Sequence, residues 1–122
     1  MTKNVFSITS LDGIIFVNFL KSPSLEDFLN AIDEVGKCDQ NRLRLWDLTC
    51  GINFTTAEVK ALARYSKSKF TTPFSKAAIV APDKLTFGLF RVHDIEREDS
   101  LVEQIVFRNK IDALTWLKQE NL

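Results

Sequence analysis

The sequence predicts a single α/β domain with a five-stranded, mostly parallel sheet, an antiparallel edge strand and four helices, in the order β-β-α-β-α-β-α-β-α. Three observations support this fold class. Two β-type runs at the start are joined by Asp12-Gly13, a dipeptide typical of hairpin turns. Strand-like and helix-like segments then alternate, which is typical of parallel sheets. The run 42–48 is apolar on both strand faces, which indicates helices on both sides of the sheet.

The composition is that of an ordinary globular protein. Of the 122 residues, 45% are apolar and 26% are charged, and no repeat, linker or low-complexity tract divides them, so we expect residues 1–122 to form one domain. The 16 basic and 16 acidic residues cancel, which argues against nucleic acid as a partner. No run is long enough to span a membrane and the start lacks the apolar core of a signal peptide, so we expect a cytoplasmic protein.

The sequence predicts neither a metal site nor a cofactor. Cys38 and Cys50 lack the close spacing of zinc ligands, and His93 is the single histidine. A glycine-rich phosphate loop and a nucleophile–base arrangement are both missing from the sequence pattern. We therefore expect a protein that is not an enzyme.

The first elements are a hairpin and a helix. The two strands are predicted at about 4–9 and 13–20. Ser22 or Ser24 can cap the helix that follows, and Gly36 is placed to end it. The apolar residues of this helix share one face: Leu25, Phe28, Leu29, Ile32 and Val35.

The middle of the chain predicts a buried strand at 42–48, a helix at 55–70 and a second buried strand at 75–81. Strand alternation places two pairs of apolar residues on opposite faces of the first of these strands, namely Leu43 and Leu45 against Trp46 and Leu48. The inward positions of the helix are predicted to be Val59, Leu62, Ala63 and Phe70.

The last elements are predicted to be a helix at 83–95, a strand at 101–107 and a helix at 109–122. In the first of these helices, the stripe expected to face the sheet is Leu85, Leu89 and Val92. The apolar positions of the final helix are Ile111, Leu114, Leu122 and either Trp116 or Leu117.

Three aromatic residues fall outside the predicted buried stripes. Phe87 and Phe90 point away from the expected inner face of the third helix, and Tyr65 lies off the buried stripe of the second. Such rings indicate a partner surface, a dimer contact or the wall of an apolar pocket. The alternative is that a neighbouring loop carrying Phe74 covers them.

Thr55 and Thr56 stand at the start of the second helix. Together with Glu58, Thr55 fits a capping box, in which side chain and backbone bond reciprocally. The alternative is phosphorylation of Thr55 or Thr56, because a helix N-terminus favours negative charge. Both interpretations use the same geometry, so the sequence leaves both open.

Asp47 ends the buried strand at 42–48. Its carboxylate can accept amide hydrogen bonds from the turn that follows and so anchor the strand. Alternatively it could serve as an acid, a base or a metal ligand, since open α/β sheets bind ligands at the carboxyl edge of their strands. We favour the anchor, because no partner residue for chemistry accompanies it.

His93 lies among charged residues in the stretch FRVHDIERED. A histidine in this position could form a pH-sensitive contact or act as a general base. With no nucleophile nearby in the sequence, we expect a solvent-exposed histidine at a helix end.

Three stretches carry a resemblance to a known family: LWDLT before the second helix, KAAIVAPDKLTFGLFRVHD across the fourth strand and third helix, and IVFRNKIDALTWL at the end. In this order they span most of residues 42–117 and resemble the STAS or SpoIIAA-like fold of anti-sigma factor antagonists. The likeness is closer still to the small bacterial SpoIIAA-like proteins of mostly unknown function. The resemblance implies the same fold and a regulatory role.

The resemblance also has implications for the site residues. Anti-sigma factor antagonists carry a phosphorylatable serine, in a pattern like Asp-Ser-Ser-Gly, at the start of the second helix. The matching place here reads Asn53-Phe54-Thr55-Thr56-Ala57, so a phospho-acceptor would be Thr55 or Thr56. The same broad fold resembles the lipid-binding CRAL-TRIO domains, which implies a hydrophobic cavity for a small apolar ligand.

These observations predict a binding or regulatory module that contacts a protein partner, or a second copy of itself, through the second and third helices. The alternative is a carrier of a small apolar or lipid-like ligand near Tyr65, Phe87 and Phe90. A third hypothesis is a phosphorylation-controlled switch at Thr55 or Thr56. A partner module would turn the rings outward, whereas a carrier would turn them into a cavity.

Overall fold

The structure, a computed structural model, describes residues 5–38, 42–72, 74–96 and 102–119. It has the predicted α/β fold and the predicted element order. The strands are β1 (Phe6–Leu11), β2 (Ile14–Phe19), β3 (Leu43–Asp47), β4 (Ser75–Val80) and β5 (Val102–Phe107). The helices are α1 (Leu25–Gly36), α2 (Thr56–Lys69), α3 (Lys84–Glu96) and α4 (Lys110–Leu117).

The sheet follows the order of the chain, β1-β2-β3-β4-β5, with β1 antiparallel to β2 and the other neighbours parallel. At the hairpin, Asp12 and Gly13 both have positive φ, 53° and 78°, as a two-residue type I′ turn requires. The first strand therefore continues to Leu11 instead of ending near residue 9, because this turn uses only two residues. The predicted hairpin is confirmed with shifted bounds.

The helices divide unequally between the two faces of the sheet. Each of the first three helices connects a strand to the adjacent parallel strand. When such connections have the same handedness and proceed in one direction across the sheet, their helices lie on the same face. The larger core accordingly contains Phe28 of α1, Leu62 of α2 and Phe90 of α3. The smaller core on the other face contains Ala113 and Leu117 of α4. Helices on both faces were predicted correctly, with three on one face and one on the other.

Most of the predicted inward positions are confirmed. In α1, Phe28, Ile32 and Val35 are buried and Leu25 and Leu29 are partly buried. In α2 and at the residue that ends it, all four predicted residues are buried, namely Val59, Leu62, Ala63 and Phe70.

The final helix agrees with its prediction in part. Leu117 is buried and Leu114 is partly buried, as predicted. Ile111 is exposed and Ala113 is buried in its place, because the inward stripe of α4 passes through the alanine. Leu122 lies outside the described residues. Among the described residues, no helix combines the length and the apolar character that crossing a membrane requires.

Candidate functional site around helix α3

Helix α3 is rotated relative to its predicted orientation. Its buried stripe is Thr86, Phe90 and His93, whereas Leu85 is 64% exposed. Leu89 and Val92 are only partly buried. We call Leu85, Leu89 and Val92 the outer stripe of α3. The predicted inward stripe and the predicted exposure of Phe90 are therefore both wrong.

The polar residues of the buried stripe have partners inside the fold. The Ile52 amide donates to the Thr86 hydroxyl oxygen at 3.3 Å. The side-chain amide nitrogen of Gln104 lies 2.6 Å from Nδ1 of His93, within hydrogen-bond distance. These partners allow Thr86 and His93 to be buried, so the expectation of a solvent-exposed His93 is wrong.

Beneath α3 lies a cluster of polar side chains, Arg44, Ser66, His93 and Gln104, which we call the buried polar cluster. It draws one residue from each of β3, α2, α3 and β5. Arg44 is fully buried, and its guanidinium carbon lies 4.1 Å from the centre of the Phe70 ring. Such a desolvated cation–π contact contributes about 2 kcal/mol.

The buried polar cluster faces a small cavity with aromatic walls. The rings that line it are those of Phe28, Trp46, Phe70 and Phe90. The cavity volume is about 10 Å³, which is roughly the space that one water molecule needs. The cavity in this conformation thus fits a water molecule and is far smaller than a lipid-like ligand.

The N-terminus of α3 is fastened to the loop between β3 and α2. The carboxylate of Asp83 accepts a hydrogen bond from the Thr86 amide at 2.9 Å, and this bond is the main reason that the pKa of Asp83 is lowered. Gly51 has a positive φ of 76°, and a side-chain carbon there would lie 3.7 Å from both Asp83 and Thr86. The loop and the helix therefore meet closely at the carboxyl edge of the sheet.

The three aromatic residues of the predicted surface lie in different places. Phe90 is in the core, and Phe87 is partly buried with the Arg108 guanidinium 5.3 Å from its ring centre. The hydroxyl of Tyr65 donates to Asp33 of α1, and this bond raises the pKa of Tyr65. The prediction that Tyr65, Phe87 and Phe90 share one surface is therefore wrong, because α2 and α3 turn these rings in different directions.

Phe74, the predicted cover, is also placed elsewhere. Its side chain is exposed, and its carbonyl accepts a hydrogen bond from Arg42 at 2.7 Å. This position precedes β4, at the amino end of that strand. Phe74 therefore does not cover Phe87 or Phe90. Phe90 is buried, and Phe87 is partly buried, by the packing of α3 against the rest of the fold.

Asp47 forms the contacts of a strand anchor. Its Oδ1 accepts a hydrogen bond from the Thr49 amide at 3.0 Å and another from the Thr49 hydroxyl. This is the local turn that the anchor interpretation describes. In the part of the chain that the structure describes, no group of three or more His, Cys, Asp or Glu side chains is placed to hold a metal ion.

The capping box at the start of α2 is confirmed. The Glu58 amide donates to the Thr55 hydroxyl at 3.1 Å, and the Thr55 amide donates to the Glu58 carboxylate at 2.9 Å. Thr55 and Thr56 are both exposed at the carboxyl edge. The threonines are therefore accessible at a helix N-terminus, as both the capping and the phosphorylation hypotheses require.

Replacing Thr55 with alanine is expected to lower the free energy of unfolding by about 1 kcal/mol, because an amide at the start of α2 loses its acceptor. Thr56→Ala is the matched control, since Thr56 is exposed and its hydroxyl has no part in the cap; it should change stability by less than about 0.5 kcal/mol. Denaturant unfolding of the three proteins measures the difference. Equal effects of the two substitutions would contradict a dominant cap at Thr55.

Three members of the buried polar cluster were not predicted from the sequence: Arg44, Ser66 and Gln104. The available signal was the alternation of β3, which puts Arg44 on the same face as Trp46. A charged residue at an inward position of a buried strand indicates an internal polar site. Ser66 and Gln104 become members only through tertiary packing.

Sequence comparison adds no relative with a known role. No protein-family model matches the chain, and no curated protein sequence matches it. The resemblance to SpoIIAA-like and STAS proteins therefore stays a prediction.

Proposed function

We propose that the protein is a non-enzymatic binding or regulatory module that engages a protein partner through α2 and α3. The observation that carries this proposal is the orientation of α3, which buries Thr86 and His93 and exposes Leu85 at the start of the outer stripe. Leu89 and Val92 of the same stripe are partly buried. A buried polar side chain is an informative departure from ordinary burial, and departures from local sequence rules concentrate at functional sites.

The energetics support a partner at the outer stripe. Full burial of a leucine contributes about 2 kcal/mol, and much of that gain is still unrealised at Leu85, which is 64% exposed. Leu85, Leu89 and Val92 follow the i, i+4, i+7 spacing with which helices dock into apolar grooves or against other helices. A partner with an apolar groove or helix would bury the stripe.

The neighbouring surface extends the contact area toward α2. The loop before α2 is fastened to α3 through the Ile52–Thr86 hydrogen bond, so the two helix N-termini form one region at the carboxyl edge. Thr55 and Thr56 are exposed there. A partner seated on the outer stripe could therefore also contact the start of α2.

Site-specific photo-crosslinking tests the proposal. A benzoylphenylalanine at position 85, with the protein expressed in its source cells, should crosslink to one defined protein. The matched control is position 111, because Ile111 is also an exposed apolar side chain but lies on α4. Gly88→Glu in the position-85 variant, at an exposed position one turn along α3 with open space around it, should abolish the crosslink, whereas Ile111→Glu should preserve it. Identical products from positions 85 and 111 would overturn the proposal.

The second candidate is a carrier of a small apolar ligand, and it is supported by the inward direction of Phe90. Phe90 lines the cavity at the buried polar cluster, and the carrier hypothesis predicts that aromatic rings line such a cavity. Because the cavity holds only about 10 Å³, α3 would have to move away from the sheet to admit a ligand. Native mass spectrometry of the purified protein tests this candidate, which predicts a co-purified hydrophobic mass. A consistently bare polypeptide mass would count against it.

The third candidate is a phosphorylation switch, and it is supported by the exposure of Thr55 and Thr56. A phosphate on Thr55 would replace the hydroxyl that caps α2, whereas a phosphate on Thr56 would leave that bond intact. Thr55→Glu and Thr56→Glu should change the position-85 crosslink if the switch acts on the same surface. An unaltered crosslink in both variants would contradict the switch.

A further inference from the structure

Strand β1 is an end strand of the sheet. In the described part of the chain, β2 is its sole strand partner, and the pairing is regular over six residue pairs. Natural edge strands are usually shielded by charges, proline, bulges or short length. The six residues of β1, FSITSL, contain no charge and no proline. This edge is therefore suited to pairing with another strand.

The hydrogen bonds at the hairpin show which backbone groups face outward. The Leu20 amide donates to the Val5 carbonyl at 2.7 Å, so Val5 is directed at β2. In an antiparallel pair, alternate residues bond the same neighbour. Residues 7, 9 and 11 are therefore directed at β2, and Phe6, Ile8 and Ser10 present their N–H and C=O groups to the free edge.

We propose that the protein forms a homodimer in which the β1 strands of two copies pair antiparallel about a two-fold axis at Ile8. The two five-stranded sheets then become one continuous sheet. In this register Phe6 lies opposite Ser10 of the second copy, and Ile8 lies opposite its own equivalent. The outward groups of Phe6, Ile8 and Ser10 then bond one another across the axis.

The side chains agree with this register. Ser7 lies opposite Thr9 of the second copy, and paired hydroxyl residues of this kind stabilise antiparallel sheets. Leu11, which is 64% exposed, lies opposite Val5 of the second copy, so an apolar side chain gains an apolar neighbour. No pair between residues 5 and 11 brings like charges together.

A second copy of this chain fits the free edge of β1 better than a different protein would. An antiparallel strand pair is self-complementary under a two-fold axis, so one uncharged strand supplies both halves of the interface. The opposite edge of the sheet differs, because β5 carries the exposed Glu103, which would introduce like charges into a two-fold pairing. Self-association is therefore assigned to the β1 edge.

The proposed homodimer is independent of the proposed function, because the β1 edge and the outer stripe of α3 are separate surfaces. Light scattering of the full chain during size-exclusion chromatography should give the mass of a dimer. Hydrogen exchange by NMR, measured from dilute to concentrated protein, should slow the amides of Phe6, Ile8 and Ser10 by about tenfold or more. Leu85→Glu should leave both results unchanged.

Two substitutions test the interface. Ser10→Pro removes an outward N–H at an exposed edge position where proline is tolerated, and Ser10→Ala is its matched control. Thr9→Lys places a charge on the edge strand, opposite Ser7 of the second copy, and Thr115→Lys adds the same charge on α4. Ser10→Pro and Thr9→Lys should give folded monomers, whereas both controls should remain dimers. A monomeric parent protein overturns the proposal, and so does a dimer whose three outward amides exchange equally fast at every concentration.

Discussion

Replacing Phe90 with alanine is expected to lower the free energy of unfolding by about 3–5 kcal/mol. The ring is fully buried, and its centre lies 5.9 Å from that of Phe28 and 5.2 Å from that of His93. Its removal leaves a void beside the water-sized cavity, and the surrounding sheet and helices limit how far the structure can collapse to fill it. Urea unfolding followed by circular dichroism measures the loss.

The control for Phe90→Ala is Leu85→Ala, five residues earlier on the same helix. Leu85 is 64% exposed, and alanine has at least as high a helix propensity, so the change should be less than about 1 kcal/mol. The predicted order of effects is the reverse of that expected from the apolar pattern, in which Leu85 faced the sheet. Equal losses for the two variants would contradict the observed rotation of α3.

Replacing Arg44 with alanine is expected to cost about 3 kcal/mol or more of unfolding free energy. The change removes a fully buried side chain, its stacking on Phe70 and its place in the buried polar cluster. Arg44→Lys keeps the charge but loses the planar group that stacks on the ring, so its effect should be intermediate. Chemical denaturation of both variants provides the comparison.

Arg64→Ala is the matched control for Arg44→Ala, because Arg64 is an exposed arginine on α2. Its removal should change stability by less than about 0.5 kcal/mol. If the Arg44 and Arg64 variants unfold at the same denaturant concentration, the internal placement of Arg44 is wrong. A large loss for Arg44 alone would support the buried polar cluster as a structural unit.

The fold was predictable because local signals and tertiary packing agree over most of the chain. Asp12-Gly13 has the residue types that a two-residue hairpin turn needs, and the structure confirms that turn. Thr55 with Glu58 forms the predicted cap, and the apolar face of α2 is the buried one. In these places the residue pattern and the final contacts require the same arrangement.

The orientation of α3 was not predictable from its own residues. Its two stripes, one starting at Leu85 and the other at Thr86, share the same helical spacing, and the apolar pattern favours the first. The second is buried because Thr86 bonds Ile52 and His93 bonds Gln104, partners that lie 34 and 11 residues away in the sequence. A periodicity argument considers one helix at a time and therefore cannot include these contacts.

Arg44 illustrates a different limit. Its position in an apolar run was visible, and strand alternation placed it on the inward face with Trp46. Charged residues are usually exposed to solvent, so the sequence alone did not predict that Arg44 is buried. The groups that surround Arg44 in the core come from other elements. The candidate site was therefore less predictable than the fold, since it is assembled from residues that are distant in sequence.

The chain-order arrangement of the sheet has a consequence for folding. From β2 onward, every strand pairs with the strand made just before it, so the sheet can grow in chain order. The β1–β2 hairpin is local, but each later pair is separated by a helical crossover, as Ile14 is from Leu43, and such non-local pairing slows folding. A chain emerging from the ribosome can add strands one after another, starting with the β1–β2 hairpin. Helix α4 returns to strands formed earlier, β3 and β4, so the opposite face of the sheet is closed last.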